Sequence, residues 1–352
     1  MTGKSVNAIL FPTNQADESR SDGVSGPNIP GTLTSRSRRI IDPRAGMRKG
    51  NAVFPDRESS FHKLMSVSIA EAIREAAQTL RQGSVPDARR EAGSLLQHVI
   101  DRDRTFIITH GEDLMTPEEQ QSFRECVARR AAGEPLQHIT GRQAFFGLDF
   151  EVTKDVLIPR PETELLVETA LPLVDEGPAA PCICDVGTGS GCIAVALLHE
   201  NQRATAVGID LSMEAIQVAR RNAVRHSVAA RISFLVADCL SALGTGKPIF
   251  DLVVSNPPYV AGSALEGLQR EVRDHEPRLA LTPGVDGLTI IRRLLLDSGA
   301  FVRAGGHLLM EIGFDQGAAV ERLIDRSNWK MQDIHQDLQG IPRIVALQKI
   351  TS

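Results

Sequence analysis

The sequence lacks any apolar run approaching the roughly 20 residues that a helix needs to cross a bilayer, so we exclude an integral membrane protein. It also lacks an excess of positive charge, because 39 Lys and Arg stand against 44 Asp and Glu, for a net charge of −5. The whole chain therefore gives no electrostatic argument for binding a phosphate backbone, and we expect no direct nucleic-acid binding. Its composition is otherwise typical of a globular protein.

Cysteines are few, and their number, five, is odd. No secretory signal pattern is present, so we expect reduced thiols and a cytoplasmic location. Cys182, Cys184 and Cys192 are close in sequence, but their spacing is not that of a zinc site. We therefore predict buried small side chains there and no bound metal.

A chain of 352 residues exceeds the usual size of one domain, which predicts two folded units, and we expect a monomer. Residues 1–62 are rich in Ser, Gly, Pro and Arg, lack periodicity and carry nine basic and six acidic side chains, so we predict a disordered extension. Residues 63–135 show helical periodicity, and 136–160 resemble a β-hairpin linker. Residues 161–352 form the second predicted domain.

The helical segment carries clear start signals. Ser68 and Glu71 have the spacing of a capping box, which predicts a helix that begins there. Pro86 suits the first turn of a second helix that ends near residue 100. Thr116 is a suitable N-cap for a third, which Gly133 would end. We predict a small bundle of helices.

After residue 180, short apolar runs alternate with segments of helix length. This alternation predicts an α/β fold, a Rossmann-like parallel sheet covered on both faces by helices. The predicted strands are Cys182–Val186, Thr205–Ile209, Ile232–Val236, Leu252–Ser255 and His307–Ile312. A further run, Ile344–Gln348, is predicted as an edge strand, and seven strands are expected in all.

The first of these strands leads directly into a glycine-rich turn, where a ligand can approach the backbone without meeting a Cβ atom. The turn consists of Gly187, Thr188, Gly189, Ser190 and Gly191. A dinucleotide fingerprint would need a glycine where Cys192 stands, and no Gly-Lys-Ser or Gly-Lys-Thr sequence supports a P-loop. The turn predicts a cofactor site, and these two mismatches weaken the nicotinamide or flavin interpretation and argue against a P-loop.

Two acids follow at the ends of the next strands. Asp210 lies about 20 residues after the glycines, where a carboxylate accepts hydrogen bonds from a ribose diol. Asp238, followed by Cys239, ends the third strand and is placed to meet an adenine edge or a ribose. Together with the glycine turn, these positions favour S-adenosylmethionine, which has a ribose and an adenine but no pyrophosphate.

The fourth strand ends in Asn256-Pro257-Pro258-Tyr259. Two consecutive prolines stiffen the turn and remove two N–H donors, which leaves oxygen acceptors. The Asn256 side-chain oxygen and the Pro257 carbonyl can accept the two hydrogens of a planar NH₂ group, and Tyr259 offers a flat face for packing. We predict that Asn256, Pro257 and Tyr259 are catalytic, that all four residues bind substrate, and that Asn256 also contacts the cofactor.

This combination resembles the class I S-adenosylmethionine-dependent methyltransferases. Further motifs resemble the peptide chain release factor N5-glutamine methyltransferases, over about residues 64–350. These motifs are Gly133 to Gly141, Leu157 to Glu164, Asp274 to Leu281, Glu311 to Gly313 and Asp337 to Gly340.

The resemblance implies a translation-termination function, the methylation of the glutamine of the Gly-Gly-Gln motif in class I release factors, docked by the helical domain. It places the cofactor on the glycine turn, Asp210 and Asp238, and the glutamine on the Asn256 turn. Some relatives have an aromatic residue where this chain has Cys239, so adenine stacking there is not implied. An adenine-N6 DNA or RNA methyltransferase with the same turn chemistry is an alternative, and a non-catalytic binding module is another.

Overall fold

The computed structural model describes residues 9–11, 67–244 and 248–351. Within these ranges, none of the helices combines the length and the apolar character needed to span a membrane. The helices are α1 (Ile69–Gln82), α2 (Ala88–Ile100), α3 (Arg104–Thr109), α4 (Pro117–Ala131), α5 (Leu136–Thr140), α6 (Glu164–Asp175), α7 (Cys192–Glu200), α8 (Met213–Arg225), α9 (Arg270–His275), α10 (Arg278–Leu281), α11 (Thr289–Phe301) and α12 (Gly317–Leu323).

The first five helices share one apolar core that extends from Ile69 to Ile139. The predicted capping box is confirmed at Ser68, whose hydroxyl accepts from the backbone N–H of Glu71, and Thr116 caps α4 in the same way. The prediction for Pro86 is wrong. Helix α2 begins only at Ala88, because Asp87 adopts a left-handed conformation (φ 51°) that interrupts the helix geometry.

A short hairpin follows these helices. Strand β2 (Arg142–Phe145) pairs antiparallel with β3 (Leu148–Glu151), and a Phe146-Gly147 turn with positive φ angles joins them. The hairpin is fixed to α8 by Asn222, which is fully buried and bonds both the N–H and the carbonyl of Glu151.

The main sheet is Rossmann-like, as the sequence predicts, but it is mixed and not wholly parallel. Its strand order is β1 (Ile9–Phe11), β6, β5, β4, β7, β8, β10 and β9, with β4 to β8 parallel and β10 antiparallel to both β8 and β9. The strands are β4 (Cys182–Val186), β5 (Thr205–Asp210), β6 (Ile232–Val236), β7 (Phe250–Ser255), β8 (Val302–Glu311), β9 (Trp329–Gln336) and β10 (Pro342–Lys349). Apolar side chains pack on both faces of the sheet, as expected for central parallel strands.

The prediction that Ile344–Gln348 forms an edge strand is wrong. This run lies within β10, and β9 pairs with it on the side away from β8. Strand β9 escapes sequence analysis because most of its residues are exposed and polar, so it shows no apolar run.

Strand β1 (Ile9–Phe11) pairs antiparallel with β6 and is an exception to the predicted disorder of residues 1–62. It belongs to the longest apolar run in that extension, Ala8 to Phe11. The rest of the predicted extension lies outside the described residues.

Candidate active site

A cavity of about 570 Å³ opens at the carboxyl ends of the parallel strands. In open α/β sheets this is the edge at which ligands bind. The residues that follow β4, β5, β6 and β7 all contribute to its wall, together with the segment that enters α6 and with residues 277–283. The wall includes Gly187, Thr188, Gly189, Ser190, Asp210, Asp238, Cys239, Asn256, Pro257 and Pro258.

The glycine turn forms the wall next to β4. Gly187 and Gly189 have φ angles of +74° and +55°, the left-handed region that favours glycine. Gly191 is not part of the described wall. It caps α7, and a Cβ atom there would lie 3.1 Å from the Ala219 side chain, so this glycine permits close packing of α7 against α8.

Asp185, at the end of β4, stabilises the glycine turn through hydrogen bonds. It is fully buried, and its Oδ2 accepts from the Thr188 hydroxyl at 2.7 Å and from the Ala194 N–H at 3.3 Å. Burial raises the pKa of Asp185 to about 7. The Ser190 hydroxyl is also buried and has no nitrogen or oxygen partner among the described residues, although the Cys192 thiol lies near it, which suits a wall that receives a polar ligand group.

Asp210 lies at the end of β5. Its carboxylate accepts from the N–H groups of Gly189 and Ser212, each at 2.9 Å. These bonds place the carboxylate beside the glycine turn, as expected for a residue that binds a ribose. Burial raises the pKa of Asp210, although its backbone hydrogen bonds oppose the shift.

Asp238 has a partner that sequence analysis misses. Arg293 on α11, which also lines the cavity, donates to Asp238 Oδ1 at 2.7 Å and to its carbonyl at 3.3 Å. The neighbouring Cys239 lines the same wall with a φ of +49°, and burial raises the pKa of its thiol to about 11. The carboxylate is thus held in place but half-exposed toward the cavity.

The Asn256 turn is held by buried polar groups. Asn256 Nδ2 donates to the Thr163 hydroxyl at 2.9 Å, and Thr163 donates to Glu311 Oε2 at 2.7 Å. Among the described residues, Tyr259 is not one of those that line the cavity. Its hydroxyl donates to Glu311 Oε1 at 3.1 Å. Burial raises the pKa of Glu311, and hydrogen bonds from Thr163 and Tyr259 counteract the shift.

The Tyr259 carbonyl has its own support. Gln316 donates to it at 3.0 Å and accepts from the Gly313 N–H at 2.9 Å. A Cβ atom on Gly287, whose φ is +72°, would lie 2.2 Å from the same carbonyl, so only glycine fits there. In contrast, no donor bonds to the Pro257 carbonyl among the described residues. The turn therefore keeps one acceptor free at the cavity wall.

Residues of the linker and of 277–283 form a further part of the wall. Arg160 pairs with Glu276, and Glu276 Oε2 also accepts from the Ile158 N–H at 3.2 Å. Glu164, in contrast, serves the hairpin, because it accepts from the Phe146 N–H at 2.8 Å. Of Ile158, Arg160 and Glu164, Arg160 lines the cavity.

Two family models match the chain. One is described as "PrmC N-terminal domain" and matches residues 71–141, and the other as "Methyltransferase small domain" and matches residues 162–279. The first corresponds to the helical core and the second to the first four parallel strands and the Asn256 turn.

Curated proteins match most of the chain. A "Release factor glutamine methyltransferase" of Koribacter versatilis is 41% identical over 81% of this chain and 100% of its own length. One of Burkholderia pseudomallei is 44% identical over 76% of this chain and 94% of its own length. A solved structure from Alicyclobacillus acidocaldarius, "protein-(glutamine-N5) methyltransferase (release factor-specific)", is 28% identical over 57% of this chain and 100% of that chain, with a TM-score of 0.35.

Proposed function

This chain belongs to the release factor glutamine methyltransferase family, and we propose that it methylates the side-chain nitrogen of the glutamine in the Gly-Gly-Gln motif of class I release factors. The observation that carries this proposal is one cavity that joins the glycine turn, Asp210, Asp238 and the Asn256 turn. Glutamine has a single side-chain amide nitrogen, N5, so N5 is the acceptor atom.

S-adenosylmethionine, the proposed cofactor, supplies a methyl group on an electrophilic sulfonium. The glycine turn would receive its amino-acid portion beside the Ser190 hydroxyl, and Asp210 would accept from the ribose. Asp238 and Cys239 would line the adenine pocket, with Arg293 holding the Asp238 carboxylate. The positive φ of Gly187 and Gly189 keeps this wall free of Cβ atoms.

The Asn256 turn would orient the acceptor. An amide nitrogen is a poor nucleophile because its lone pair is delocalised, so its hydrogens must be held in place. Asn256 Oδ1 and the free Pro257 carbonyl can accept both hydrogens and direct the nitrogen into the cavity. The N–CH₃ bond would form as the S–CH₃ bond breaks and S-adenosylhomocysteine leaves. These two oxygens would bind the hydrogens more strongly as positive charge develops on the nitrogen, which would lower the barrier, and the nitrogen would then lose one of its two protons to give the methylated amide.

A protein substrate suits the cavity's surroundings. The linker and residues 277–283 both line the cavity, and α9, just before the second of these segments, contacts the N-terminal helices through Arg130 and Glu271. We propose that residues 63–135 form a domain that docks the release factor beside this part of the cavity wall. A cytoplasmic monomer remains our expectation.

The adenine-N6 alternative shares the Asn256 turn. The curated relatives named above match this chain over nearly their full length, and their names support glutamine as the acceptor instead.

The test is a methylation assay. The purified chain, S-adenosylmethionine and a class I release factor are incubated, and the factor is analysed by tandem mass spectrometry. We expect one methyl group on the Gly-Gly-Gln glutamine and none with Asn256→Ala. Label in DNA or RNA but not in the factor would support the adenine alternative, and no transfer to either would contradict the proposal.

A further inference from the structure

Glu311, at the end of β8, has an unusual environment for a carboxylate. It is 1% exposed, and the bonds to its two oxygens come from neutral hydroxyls, Thr163 on Oε2 and Tyr259 on Oε1. Burying a carboxylate costs free energy unless hydrogen bonds compensate for the lost water, so we ask what these two hydrogen bonds hold in place. The proposed cofactor and substrate contacts do not use this carboxylate.

Thr163 connects Glu311 to Asn256. A threonine hydroxyl has one proton to donate and two lone pairs that accept. Because the Thr163 hydroxyl donates its hydrogen bond to Glu311 Oε2 at 2.7 Å, the Thr163 oxygen can only accept from Asn256. The Asn256 group that meets it, at 2.9 Å, is therefore the Nδ2 donor.

This direction of hydrogen bonding fixes which end of Asn256 faces away from Thr163. If the amide were flipped, Oδ1 would meet the Thr163 oxygen, two acceptors would face each other and the Asn256 NH₂ would point toward the substrate. An NH₂ group cannot accept the hydrogens of a substrate amide.

We propose that the Asn256–Thr163–Glu311 hydrogen-bond chain orients the Asn256 amide, so that the site selects a substrate carboxamide over a carboxylate. This rests on the proposed function. Thr163 and Glu311 are then positioning residues, and Tyr259 supports them by donating the second hydrogen bond to the Glu311 carboxylate. The selection follows because two acceptors, Asn256 Oδ1 and the Pro257 carbonyl, attract an NH₂ group and repel a carboxylate.

The test compares Thr163→Val, which removes the hydroxyl and keeps the side-chain shape, with Thr163→Ser, which keeps the hydroxyl. Thr169→Val is a matched control, because the Thr169 hydroxyl bonds only the Leu165 carbonyl of its own helix region among the described residues. Thr163→Ala removes the same hydroxyl without branching and is measured in parallel, with melting temperatures for all variants.

The readouts are kcat and KM with a class I release factor, and the inhibition constant of the same factor carrying glutamate in place of the acceptor glutamine. For Thr163→Val and Thr163→Ala we expect kcat to fall about tenfold or more, since the acceptor is no longer held in place. We also expect the ratio of the glutamate factor's inhibition constant to the substrate KM to fall about tenfold. This ratio falls because an Asn256 that is no longer held by Thr163 can turn its NH₂ group toward the carboxylate. Thr163→Ser and Thr169→Val should match the unmodified protein.

Loss of activity without improved relative binding of the glutamate factor would reduce Thr163 to a structural residue and overturn the inference. Unchanged kcat and selectivity in both hydroxyl-free variants would overturn it as well. Failure of the unmodified protein to methylate the release factor would instead contradict the proposed function, so the two failures are distinguishable.

Discussion

The guanidinium of Arg130 lies 2.8 Å from the carboxylate of Glu271, which connects α4 of the N-terminal helices to α9 beside the cavity. Arg130 also bonds Glu91 on α2, and its side chain is only 5% exposed. Arg130 thus joins a buried carboxylate, Glu91, to a partly exposed one, Glu271, and links the N-terminal helices to the segment just before residues 277–283.

Replacing Arg130 with Met should destabilise the protein by about 3 kcal/mol or more, because Glu91 would be left as a buried charge without its partner. Arg129→Met is the matched control. The Arg129–Glu134 pair is far more exposed, so that change should cost about 1 kcal/mol or less. Urea unfolding of both variants gives the comparison, and equal losses would show that the buried pair has no special importance.

Gly287→Ala should distort the Asn256 turn, since its Cβ atom would lie 2.2 Å from the Tyr259 carbonyl. We expect a large loss of kcat in addition to lower stability. Gly305→Ala is the control, because its φ of +78° is similar and nothing lies within 4 Å of its Cβ position. It should cost only the roughly 1–2 kcal/mol of a left-handed alanine and leave kcat unchanged. Equal kcat values for the two variants would contradict this assignment.

Asp185 should make stability depend on pH. Burial raises its pKa from 3.8 to about 7, so folding favours the protonated acid. That contribution is complete below the unfolded pKa and is lost as the pH rises through the folded one. The free energy of unfolding of Asp185→Asn should therefore fall less between pH 5 and 7 than that of the unmodified protein. Parallel curves from urea titrations would show that Asp185 does not titrate in this range.

Cys239 should react slowly with iodoacetamide at neutral pH, because burial raises the pKa of its thiol to about 11 and little thiolate is present. S-adenosylhomocysteine should slow the reaction further, since Cys239 lines the cavity. Cys126, on α4, is the internal control, and its rate should not change. Peptide mass spectrometry measures both rates. A Cys239 rate insensitive to the ligand would argue against the proposed adenine pocket.

Much of the central sheet could be predicted because buried parallel strands consist of continuous apolar runs. The observed bounds of β4 and β6 are those predicted, whereas the exposed, polar β9 has no comparable signal. The residues that follow the strands were also predictable, since parallel strands bring their carboxyl ends to one edge.

The residues that support the site were not predictable in this way. Thr163 meets Asn256 across 93 residues of sequence, and Arg293 meets Asp238 across 55. Such pairs arise from tertiary packing and leave no local pattern. The hydrogen bond from the Tyr259 hydroxyl to Glu311, 52 residues away, likewise has no local signal in the sequence.

The most direct measurement is a crystal structure of the protein with S-adenosylhomocysteine and a release factor fragment that contains the Gly-Gly-Gln motif. We predict that the glutamine nitrogen lies within about 2.7–3.2 Å of both Asn256 Oδ1 and the Pro257 carbonyl oxygen, and that Asn256 Nδ2 still donates to Thr163. A glutamine side chain bound away from this turn, or an Asn256 that presents Nδ2 to the glutamine, would overturn the proposed mechanism.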